Sequence, residues 1–200
     1  MDAKQISFIA IMSSLGIVIS IITLNLGPIS LAVGGQAGSA LDLSHIATFV
    51  AAIFGGPVVG ATVGFLGGIY AGAYFGYVRG TLGLLSLIGL PIGKAMTGLL
   101  AGFLYKRLKV LSGSGHSVLV VASTLLSYVP ESVYTVVYFL YMVALVNGSG
   151  MSFMIPLVIP KAWVEIVAMG LMMGVLIGNS GFKNIGKRLF YSKSDKSSEN

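Results

Sequence analysis

Long apolar runs separated by short polar or glycine-rich breaks dominate the chain. The first run, from about Ile6 to Leu26, has the roughly 20 residues that crossing a bilayer core requires. Residues 27–42, GPISLAVGGQAGSALD, are too rich in glycine for a firm helix and too apolar for an ordinary solvated loop. The next run, LSHIATFVAAIF over 43–54, is short; it crosses only where the bilayer thins or the preceding connection dips in. Gly55-Gly56-Pro57 predicts a tight break before a third run that ends near Tyr77. A fourth run covers about Leu82 to Tyr105, with Pro91 expected to bend it, and a fifth about Ser117 to Val146, with Pro130 near its middle. Asn147-Gly148-Ser149-Gly150 reads as a turn, and a sixth run follows from Met151 to Gly178. The pattern predicts an all-α, polytopic membrane protein. Its single domain is a bundle of six transmembrane helices over residues 1–182, followed by a basic cytoplasmic tail over 183–200.

Within the third run, GATVGFLGGIYAGAYFG carries a glycine at every fourth position: Gly60, Gly64, Gly68, Gly72 and Gly76. Residues four apart share a helix face, so these glycines form a smooth stripe against which a neighbouring helix packs closely in lipid. Gly98 and Gly102 in the fourth run, and Gly170, Gly174 and Gly178 in the sixth, repeat the device. On this reading Gly68→Leu forces helices apart, whereas Gly68→Ala is mild.

Composition strengthens the membrane reading. The chain is 56% hydrophobic and 9% charged, where soluble domains carry about a quarter charged residues. The excess of basic residues, a net charge of +6, could suggest nucleic acid, but the positions of the charges exclude that. Lys106, Arg107 and Lys109 flank one apolar run, and Lys183, Lys187, Arg188, Lys193 and Lys196 follow another, as the positive-inside rule requires. Six crossings put nine of the twelve Lys and Arg on one side, Lys4 included, and leave only Arg79 in the opposite loops. Both termini are therefore expected in the cytoplasm. No cleavage motif follows the first run, which reads as a retained helix. With no cysteine, neither a disulfide framework nor a thiolate metal site can form.

Ionisable residues inside spans cost about 2.5–3.5 kcal/mol each on insertion scales, and four stand out: Lys94, Glu131, Lys161 and Glu165. Lys94 lies twelve residues before the basic cluster, hence roughly 18 Å deep. Lys161 and Glu165 are four apart and within pairing distance on one helix face. The four could simply neutralise one another. Ser127, Glu131, Tyr134 and Tyr138 share a face, however, with Tyr128 and Tyr141 nearby, and Trp163, the only tryptophan, sits between Lys161 and Glu165. Aromatic walls with a few converging polar groups suit a small polar heterocycle. Asp42 or Ser44 is expected to cap the short second helix, with His45 beside it; a ligand contact is the lesser expectation for Asp42 and His45. His116 reads as a linker residue. No metal-ligand spacing, phosphate-binding loop or nucleophile–base pair occurs, so no cofactor and no enzyme activity are expected, and any ATP hydrolysis belongs to other proteins.

DLSHIATFVAAIFGGPVVGATVGFLGG over 42–68 and GKAMTGLLAGFLYKR over 93–107 resemble the substrate-binding S component of energy-coupling factor (ECF) vitamin transporters. The resemblance extends along the whole chain through the order of features: six spans, a short second span, a GGP break and a basic turn after the fourth. It implies a multi-pass protein of a prokaryotic plasma membrane that binds a vitamin-like molecule. The implied partners are an energy-coupling transmembrane subunit and two ATPases. The substrate would be held by side chains drawn from Glu131, Tyr134, Tyr138, Lys161, Trp163 and Glu165, with Lys94 near them. Residues 27–42, with Gly34, Gly35, Gln36 and Asp42, would form a lid, and Ala10 and Ser14 would dock on the coupling subunit. The family's docking face usually carries two alanines, and serine departs from that pattern. The alternative is a stand-alone carrier or channel for a small polar solute, in which Glu131 and Glu165 relay protons.

Overall fold

The computed structural model describes residues 3–26, 41–80, 82–111, 117–147 and 151–190. Gly34, Gly35 and Gln36 of the expected lid, His116 and the end of the basic tail lie outside the described residues. The described chain is helical throughout. It comprises α1 (Ala3–Asn25), α2 (His45–Ala73), α3 (Ser86–Arg107), α4 (Ser117–Ser127), α5 (Val129–Val137), α6 (Val143–Asn147), α7 (Ile155–Gly178) and α8 (Ser180–Phe190). A π-helical turn at Tyr74–Val78 extends α2, and another at Tyr138–Met142 joins α5 to α6. Five helical stretches are long and apolar enough to cross a membrane: 3–25, 45–78, 86–107, 117–145 and 152–178.

The second of these stretches turns back on itself. Gly56 has φ 82° and ψ −170°, a conformation that only glycine adopts readily, and Pro57 follows it. A Cβ built on Gly60 would lie 2.7 Å from the Cβ of Ala52, although eight residues of continuous helix span about 12 Å. A Cβ on Gly16 would lie 3.5 Å from Ala47 and 3.7 Å from Gly67. Both pairings, 52 with 60 and 47 with 67, centre on the break. Residues 45–55 and 57–78 are therefore the two arms of a helical hairpin, which turns at the break that the Gly-Gly-Pro sequence predicts. The shorter arm extends only about 16 Å, roughly half the hydrocarbon thickness.

The glycine stripe lies against α3. Cβ atoms built on Gly60, Gly68 and Gly72 would meet Gly98 O at 2.6 Å, Pro91 Cα at 2.7 Å and Ser86 O at 2.6 Å, and one on Gly64 would strike the Lys94 carbonyl. Backbone meets backbone along the whole antiparallel contact. This corrects one expectation, because at Gly68 even a methyl group collides with the main chain of α3. Gly102 of α3 abuts Pro57 at the hairpin tip, and Gly174 abuts Val121 of α4.

The exterior is apolar, and small hydroxyl side chains lie buried within a largely hydrophobic core. Ser13, Ser20, Thr48, Thr97, Ser123, Thr124 and Ser127 are buried, while Ile11, Leu15, Val18 and Ile22 of α1, Val118, Leu145 and Val175 face outward. So extensive an apolar exterior is what a bilayer stabilises and water does not. At one end of the bundle, Phe182 of α8 packs edge-on against Phe54 near the hairpin tip, ring centroids 5.8 Å apart. The domain boundary expected at residue 182 thus falls inside α8, which continues to Phe190.

Candidate functional site

α3 brings the two halves of the bundle together. One of its faces carries Gly98 and Gly102 against the hairpin. Another carries Gly89, Gly93 and Thr97, again four apart, against the helix that holds Glu131 and Tyr138. The Tyr138 ring occupies the space a side chain on Gly89 would fill, and a Cβ on Gly93 would lie 3.3 Å from Glu131 Cγ. This close approach surrounds a cavity of about 130 Å³ between the start of the short arm, α3, α5 and α7. It is comparable to the engineered cavity of about 150 Å³ that holds a benzene ring.

Six of the seven expected substrate-binding residues line it: Lys94, Glu131, Tyr134, Tyr138, Lys161 and Glu165. Trp163 does not. Position 163 is two residues from both Lys161 and Glu165, about 200° around the helix from each, and its indole packs edge-on against Tyr128 at 5.2 Å instead. It supports the wall from behind, since Tyr128 itself faces the cavity. Tyr141 is exposed on the outside of the bundle.

The charges pair, though only one pair is the expected one. Lys161 Nζ lies 3.1 Å from Glu165 Oε1 within α7. Lys94 Nζ donates to Asp42 Oδ2 at 2.6 Å and also to the Ser44 hydroxyl. Glu131 Oε2 accepts from His45 Nε2 at 3.0 Å and from the Thr97 hydroxyl. Asp42 connects two of these groups: its Oδ1 accepts from Ser20 Oγ at 2.8 Å and Ser44 N at 3.0 Å, while its own N–H donates to Glu165 Oε1 at 2.9 Å. Asp42 lies in the connection that enters the short arm.

Asp42 and His45 therefore do more than start a helix. Ser44 makes no side-chain cap; Asp42 accepts the Ser44 N–H, and both Asp42 and His45 face the cavity. Ser20, Thr97, Gly89 and Gly93 also belong to the site. Among them only the spacing of four from Gly89 to Gly93 and Thr97 is a signal readable in the sequence. Tyr138 is 1% exposed, and its hydroxyl is buried with no hydrogen-bond partner among the described residues. Such an orphan is normally satisfied by water or by a ligand atom. Both π-helical turns border the cavity, through Phe75 and through Tyr138 and Phe139; such turns are frequent at functional sites.

On α1, Ala10 and Ser14 lie on the exposed outer face, away from the cavity. Compared with protein-family models, curated proteins and solved structures, the chain matches none.

Proposed function

We propose that this protein is a membrane-embedded binding subunit for a small vitamin-like molecule, energised by separate ATPase partners in the manner of an ECF transporter. One observation carries the reading. Every acidic side chain between residues 3 and 194, namely Asp42, Glu131 and Glu165, converges on one aromatic-walled cavity that still has room for a ring. Paired charges alone would close into a solid interior; here the pairs line a space. In this reading the chain crosses six times with both ends in the cytoplasm, and the short arm belongs to the second crossing. The apolar outer face of α1 around Ala10 and Ser14 is the surface offered to the coupling subunit.

The His45–Glu131 pair gives a specific reason to weigh proton-coupled transport by the chain alone, since both groups can exchange protons within the membrane. Two measurements decide. Mass spectrometry of small molecules copurifying with the detergent-solubilised protein is expected to find a ring-containing nutrient at near-equal ratio. Empty preparations from rich medium, with no vitamin raising the melting temperature, overturn the binding reading. In vesicles, sustained uptake is expected only with ATPase partners present; uptake by the chain alone that a protonophore abolishes establishes the carrier instead.

A further inference from the structure

We infer that the cavity selects a small ring carrying one positive charge, with Glu131 as its counter-ion; this rests on the binding-subunit reading above. The inference begins with a charge inventory. Three carboxylates face the cavity, Asp42, Glu131 and Glu165, but only two lysines do, Lys94 and Lys161. Each lysine is matched: Lys94 to Asp42 at 2.6 Å, Lys161 to Glu165 at 3.1 Å. Glu131 is the carboxylate left over. Its partners, the His45 imidazole and the Thr97 hydroxyl, are donors that need carry no charge, and both fall on Oε2. Among the described residues nothing donates to Oε1. The neighbouring connection, residues 27–40, contains no ionisable side chain, so it cannot supply the missing charge.

A buried carboxylate without a matching cation is strongly destabilised, and a positively charged ligand removes that cost on binding. Hydrogen bonds to an ionised acceptor are roughly twice as strong as neutral ones. The ring of Tyr134, backed by Tyr138 at 6.0 Å, provides a negative face that favours a cation. An anion meets the opposite situation, because both lysines are already committed and a second negative charge would sit beside Glu131.

Three single-ring probes of similar size separate the charge classes: benzylammonium, benzyl alcohol and benzoate. Each is titrated calorimetrically into the purified full-length protein in detergent, against empty micelles. Benzylammonium is expected to bind about ten-fold or more tightly than benzyl alcohol, with benzoate weakest, and Glu131→Gln is expected to erase most of that preference. The ranking in the unaltered protein is decisive by itself, whatever the stability of the variant. Equal binding of benzylammonium and benzyl alcohol overturns the inference, since it means that a proton on His45 already balances the cluster. Tighter binding of benzoate overturns it as well. Either result leaves the cavity standing as a ligand site. Binding of none of the three overturns this inference and the single-ring cavity together.

Discussion

Lys94 and Lys161 read alike in the sequence, each a lone cation in an apolar helix, yet their surroundings differ. The Lys94 ammonium joins α3 to the start of the short arm through Asp42 and Ser44, whereas Lys161 pairs with Glu165 one turn along its own helix. Removing one partner of a buried pair leaves an uncompensated charge and costs about 3–5 kcal/mol. Lys94→Met is therefore expected to lower the melting temperature of the purified protein markedly, and adding Asp42→Asn to recover part of the loss. Lys161→Met should lower it less, because Glu165 keeps the hydrogen bond from the Asp42 N–H. Equal losses from the two lysine variants would contradict this contrast. The four ionisable positions were legible because charge inside an apolar run is costly, although the sequence left mutual pairing and a pocket lining as alternatives. Asp42 and His45 were legible chiefly as a helix start, with a ligand contact the lesser expectation: their partners Lys94 and Glu131 lie 52 and 86 residues away in sequence, a separation that no local pattern encodes. Trp163 was misplaced because adjacency in sequence is not adjacency on a helix.

Neighbouring glycines in the long arm of the hairpin show what spacing reveals and what it omits. Gly68 faces the main chain of α3, where a Cβ would lie 2.7 Å from Pro91 Cα; Gly67 faces α1, where the nearest atom would be Gly16 Cα at 3.9 Å. Overpacking a tight contact costs about 1–3 kcal/mol. A substitution that meets only ordinary van der Waals contact is expected to stay within about 0.5 kcal/mol. Thermal unfolding should thus show Gly68→Ala clearly destabilised and Gly67→Ala close to the unaltered protein; similar behaviour of the two would mean that the helices separate more easily than the backbone contacts indicate. The period of four identified the packing face and its smoothness. It could not give the distance between helices, which is why the alanine at Gly68 looked harmless. The break at Gly55-Gly56-Pro57 was likewise legible as a stop, but the reversal that sets Ala52 beside Gly60 depends on the positive φ of Gly56 and on contacts with α1 and α3.

For the whole molecule, the open question is how the bundle sits in the membrane, and the basic residues supply the expectation. Arg107 ends α3 beside Lys106, and Gly102, one turn before it, touches Pro57 at the hairpin tip. Phe54 near that tip touches α8. The basic end of α3, the hairpin tip and α8 therefore share one end of the bundle, while Val78 and Arg79 close the opposite end of the long arm. The positive-inside rule assigns the first end to the cytoplasm. Because the chain contains no cysteine, any single cysteine introduced is a unique label. Exposed positions suit this test: Lys4 on α1, Val78 after the long arm, Arg107 at the end of α3 and Asn184 on α8. A membrane-impermeant thiol reagent applied to intact cells should modify Val78→Cys. It should reach Lys4→Cys, Arg107→Cys and Asn184→Cys only after permeabilisation. An odd number of crossings would place Lys4 and Asn184 on opposite faces and label one of them from outside. That result would show that the 16 Å arm belongs to no complete passage, and the six-span arrangement would fall with it.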